Sequence, residues 1–69
     1  MTLSDAHALA DRRWPGKAVV VEQRIVGPEG AFTLCLVGRL GHDPHAWDCL
    51  GQGRSWKEAF ASSDRRRVA

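Results

Sequence analysis

The chain has 69 residues, 43% of them hydrophobic and 26% charged, with a net charge of +2. That is the balance of a globular domain, and too weak a charge for a histone-like or polybasic protein. A domain this small buries only about 60% of its unfolded surface, which excludes a large enclosed active-site cleft built around a cofactor.

The first predicted element is a helix over Leu3–Arg13, with Thr2 as N-cap and Asp5 three residues on in the capping-box position. Leu3, Ala6, Ala10 and Trp14 fall on one stripe, with Leu9 at its edge, and Pro15-Gly16 ends the helix. Lys17–Val26, rich in β-branched residues, reads as a strand, and Gly27-Pro28-Glu29-Gly30 as the turn of an antiparallel hairpin. Its second strand is Ala31–Val37, where Phe32, Leu34 and Leu36 share one face and Thr33, Cys35 and Val37 the other. Gly38–Pro44 reads as a loop, His45–Leu50 as a third strand and Gly51–Arg54 as a turn. Ser55 then caps a last helix. Glu58 completes its capping box, and Trp56, Ala59, Phe60 and Ser63 sit together at helical spacing.

The order is therefore helix, three strands, helix. Both apolar helical stripes need a partner, so the expected fold is α+β: a three-stranded antiparallel sheet with two helices packed on one face, all within one small domain. With Phe32, Leu34 and Leu36 turned to the helices, Cys35 and Val37 face away. Together with Trp47 they form an expected partner-binding surface, more apolar than a solvated sheet face. Three tryptophans, Trp14, Trp47 and Trp56, serve either as core or as exposed anchors for a partner.

Charge is uneven. Residues 1–53 hold five basic and six acidic side chains, whereas residues 54–69 hold five basic and two acidic. Arg54, Lys57, Arg65, Arg66 and Arg67 are the candidate phosphate contacts. Cations near the end of a helix also complement its dipole, and an Arg-, Ala- and Gly-rich chain also arises from genome composition. The N-terminus has no apolar leader and the longest apolar runs are four residues. A cytoplasmic protein with reduced Cys35 and Cys49 and no membrane partner is expected.

Residues 17–60 resemble the double-stranded-RNA-binding domain, which has the same five elements in the same order. The resemblance rests on Gly27-Pro28 followed by Phe32-Thr33, and on Gly51-x-Gly53-x-Ser55-x-Lys57-x-Ala59 at the entry to the last helix. It implies duplex-RNA binding through phosphate contacts at the start of that helix, where the matching positions are Trp56, Lys57 and Phe60 and only Lys57 is charged. The family's hairpin histidine after Gly-Pro is replaced by Glu29 and Gly30. Gly53-x-Ser55-x-x-Glu58-Ala59 is also similar to HicB-type antitoxins, which implies a protein partner.

His42, His45 and Cys49, with Cys35 as a fourth donor, offer nitrogen and sulfur to zinc, but the paired Cys-x-x-Cys knuckle is missing. Nothing flanks either cysteine to lower its pKa, and Gly51-Gln52-Gly53-Arg54-Ser55 is too short for a phosphate loop. No metal, cofactor, catalytic residue or small-molecule substrate is expected. The reading is a binding module, with nucleic acid as one class of partner and protein or a second copy of the chain as the other.

Overall fold

The computed structural model describes residues 1–43 and 46–68, residues 66–68 by their backbone alone. Helix α1 (Leu3–Arg13) is followed by strands β1 (Ala18–Gly27), β2 (Gly30–Leu40) and β3 (Trp47–Gly53), and then helix α2 (Trp56–Val68). The strands form one antiparallel sheet in the order β1-β2-β3. This is the expected α+β arrangement. Among the described residues no helix is long and apolar enough to cross a membrane.

Local chemistry explains the ends of the helices. At α1, the Asp5 amide donates to the Thr2 hydroxyl at 3.1 Å, and the Thr2 amide donates to the Asp5 carboxylate at 3.1 Å. Two otherwise orphaned amides are thereby satisfied. At α2, the Glu58 amide donates to Ser55 Oγ at 3.2 Å, and the Glu58 carboxylate reaches back one residue further than expected, accepting from the Arg54 amide at 2.8 Å.

The Asp5 cap carries a pH signature. The backbone and hydroxyl donors of Thr2 hold the Asp5 carboxyl below its ordinary 3.8. A pKa lowered by folding stabilises the fold above the unfolded value, and the contribution is lost as pH falls through the folded value. The stability gap between wild type and Asp5→Ala in urea unfolding is therefore expected to be widest at neutral pH and to shrink steadily below pH 3.8.

Both helices cover the same face of the sheet. One buried cluster joins Ala6 and Ala10 of α1, Cys35 and Val37 of β2, and Trp56, Ala59 and Phe60 of α2, with Leu9, Trp14, Ala18 and Val20 packed around it. Trp56 and Phe60 thus lie in the core while Lys57, Ala61 and Asp64 point outward, as helical spacing predicts. Across the helix pair, Arg13 forks onto Asp64 with contacts of 2.6 and 3.4 Å. The same guanidinium lies 5.0 Å from the centre of the Phe60 ring.

The third strand begins at Trp47 and runs through Gly51-Gln52-Gly53, residues whose composition reads as a turn. The glycines serve close packing instead. A Cβ at Gly51 would press on the Ala59 carbonyl and come within 2.7 Å of the Ser63 nitrogen, and one at Gly53 would lie 3.0 Å from the Ala59 nitrogen. Only bare backbone lets α2 lie this close to β3. Ser63, 1% exposed, packs at the same contact, and its hydroxyl has no hydrogen-bond partner among the described residues. Ser63→Ala removes that unsatisfied group and favours the helix, and is expected to raise stability by about 1 kcal/mol in urea or thermal unfolding.

Candidate functional site

Directly opposed residues of an antiparallel pair put their side chains on the same face, so register assigns the two faces. Val20 pairs with Val37, and Val37 with Gly51; Glu22 pairs with Cys35, and Cys35 with Gly53. This is the face beneath the helices. Cys35 is 3% and Val37 0% exposed. The expectation that Cys35 and Val37 look outward toward a partner is corrected here, for both are core residues. The physical reason is size. Two helices in close contact leave room for Cys, Val, Ala and Gly on the sheet, because Trp56 and Phe60 supply the bulk from the helix side.

The larger strand residues take the other face. Val21 pairs with Leu36, Gln23 with Leu34, Ile25 with Phe32, and Leu40 with Trp47. Val19 joins them opposite Gly38, and Gln52 opposite Leu36. Val19, Val21, Ile25, Phe32, Leu34, Leu36 and Trp47 are each half-buried on the face opposite the buried cluster that both helices join, while Leu40 is 43% exposed. Trp47, expected at a partner surface, does lie on this open face. Its indole edge lies over Gly38, where a Cβ would approach Trp47 Cε3 to 2.9 Å. The register shift at Val37/Gly38 gives β3 one extra residue between Cys49 and Gly51.

At one end of the open face the Arg54 guanidinium lies 4.3 Å from the centre of the Phe32 ring. Arg54, Phe32 and the hairpin turn Gly27–Ala31 line an open concavity of about 450 Å³. Gly30 takes φ +128° at the close of that turn, a conformation open to glycine.

The other candidate residues are scattered. Lys57 and Arg65 are exposed on α2, and the side chains of Arg66 and Arg67 lie outside the described residues. Positions 56 and 60, which the RNA-binding resemblance would assign to phosphate contact, are turned into the core. His45 lies outside the described residues. Cys35 and Cys49 occupy opposite faces, paired with Gly53 and Gly38 respectively, so the sheet does not bring them together as metal donors. Among the described residues no three acidic, histidine or cysteine side chains cluster as a metal site. Burial above all, then the Glu22 and Glu58 carboxylates, pushes the Cys35 thiol upward and keeps it protonated at neutral pH.

Sequence reading missed Phe32, Leu34 and Leu36 as surface residues. The available signal was the Gly51-x-Gly53 alternation, which leaves one face of β3 without side chains and marks it as the face a helix approaches. Comparison with protein families, with curated proteins and with solved structures finds no match to this chain.

Proposed function

We propose that the protein is a protein-interaction module whose binding surface is the open face of the sheet. One observation carries the reading: a continuous set of aliphatic and aromatic side chains, centred on Leu34 and Leu36, covers the face that no helix packs on. A sheet with one face solvated ordinarily presents polar residues there, whereas here the face away from the helices is mainly aliphatic and aromatic and the charged strand residues Glu22, Arg24, Arg39 and Asp48 lie on the other. A patch of this kind on a small domain marks a contact site.

Nucleic acid is less well served by the same geometry. Arg54 is stacked on Phe32, Arg13 is engaged by Asp64, and the turn Pro28-Glu29 presents a carboxylate where a duplex groove would want a cation. Of the candidate phosphate contacts, Lys57 and Arg65 are outward on α2, while the other exposed cations, Arg12, Lys17, Arg24 and Arg39, belong to α1, the turn after it, β1 and β2, not to the helix that the RNA-binding resemblance would set on a duplex.

The test is site-specific photocrosslinking in the native host, with the photoreactive residue placed at Leu34 or at Lys57. Nuclease-resistant protein adducts are expected from Leu34 and none from Lys57. Nucleic-acid adducts concentrated at Lys57, with none at Leu34, would overturn the proposal.

A further inference from the structure

We infer that the occupant of the open face is a second copy of this chain, packed sheet against sheet about a two-fold axis. The inference rests on the interaction reading above and names the partner. The chain exposes 5052 Å². A folded monomer of 7.6 kDa is expected to expose about 4,300 Å². The excess over the whole chain is roughly 750 Å², of the size of the roughly 800 Å² that each partner contributes to a stable interface.

A two-fold axis sets each residue against its own surroundings on the other copy, so a charge near the centre would meet its like. The open-face positions of the three strands carry no charged residue. Their polar members are Gln23 and Gln52 beside the cysteine Cys49, and Arg54 follows β3 at the rim with its guanidinium drawn onto Phe32. Apart from Arg54 at that rim, the surface offers no ionic feature for a charged partner to recognise, and its centre meets its own copy without repulsion. Shape agrees. Twisted antiparallel sheets pack face to face about 10 Å apart with strands within about 30° of alignment, and Leu34 and Leu36, near the middle of β2, then lie at the centre of the shared core.

The test is sedimentation of the full chain across the micromolar range, for wild type, Leu34→Glu and Gln23→Glu. Gln23 is exposed and pairs with Leu34, so its near-isosteric change adds a carboxylate to the face without touching the core. Wild type is expected to sediment at twice the chain mass. Gln23→Glu should weaken dimerisation at least about tenfold, and Leu34→Glu should give a folded monomer with an unchanged circular dichroism spectrum. A wild-type dimer indifferent to both changes would place the contact elsewhere and overturn the inference. A monomer throughout, whose open face still takes up a hydrophobic dye that Leu34→Glu abolishes, would overturn the second copy while leaving a different protein partner. A monomer that takes up no dye would overturn both readings.

Discussion

Gly51→Ala is expected to cost about 3 kcal/mol, a large effect for a single methyl group. The added Cβ meets the Ala59 carbonyl and the Ser63 nitrogen, both backbone atoms of α2 that no rotamer change can move aside. Relief requires lifting α2 off β3, which opens the core around Trp56, Ala59 and Phe60. At about 0.1 kcal/mol per residue the whole domain is stabilised by about 7 kcal/mol, so the loss approaches half of it. Thermal unfolding should show the midpoint falling by roughly 15 °C. Gly41→Ala is the control. Its Cβ would meet Asp48 Oδ2 at an ordinary 3.6 Å, and its effect is expected within about 0.5 kcal/mol. Equal effects of the two changes would remove the close contact between helix and strand as the reason for glycine at 51.

The second large effect separates two neighbours. Val37→Asp places a carboxylate at a site with 0% exposure, beneath both helices and among apolar side chains. A buried charge without a partner costs about 4 kcal/mol or more, and the variant is expected to be unfolded or nearly so at neutral pH. Leu36→Asp, one residue away, puts the same group on the half-exposed open face. There the carboxylate keeps its water, and the monomer is expected to remain folded with a loss of about 1 kcal/mol. Circular dichroism and urea unfolding of the two variants distinguish the faces. The reverse ranking would mean that Leu36 lies under the helices and Val37 outside.

Both predictions depend on an aspect of the fold that the residue pattern only half reveals. The helices were legible because their signals are local. Thr2 with Asp5 and Ser55 with Glu58 mark the two starts, and the 3.6-residue spacing of Trp56, Ala59, Phe60 and Ser63 sets the buried side of α2. The hairpin was legible from Pro28 between two glycines. Two features were not. Gly38, Gly51 and Gly53 read as breakers, yet all three lie within strands, because each leaves space for something that arrives from elsewhere in the chain: the Asp48 carbonyl and the Trp47 ring at Gly38, and α2 over Gly51 and Gly53. Alternation in β2 separates Phe32, Leu34 and Leu36 from Cys35 and Val37 without saying which set the helices cover. Hydrophobicity favours the larger set for the core. Volume decides otherwise, since Trp56 and Phe60 already fill the space between the layers.

The candidate site follows from that reversal. Trp47, which the sequence leaves open as core or exposed anchor, occupies the open face half-buried, and the residues around it are the large apolar ones of β1 and β2, with Cys35 and Val37 behind them. The outward cations Lys57 and Arg65 stand apart from this patch on α2, and Arg54 reaches it only at the Phe32 end.

Nuclear Overhauser contacts from the methyl groups of β2 test the face assignment most directly. The Val37 methyls are expected to show contacts to protons of the buried cluster contributed by both helices, among them Ala10 of α1 and Phe60 of α2. The Leu34 and Leu36 methyls are expected to show contacts to neighbouring open-face strand residues and none to either helix. Contacts from Leu34 or Leu36 to the Phe60 ring, with Val37 silent toward it, would contradict the account.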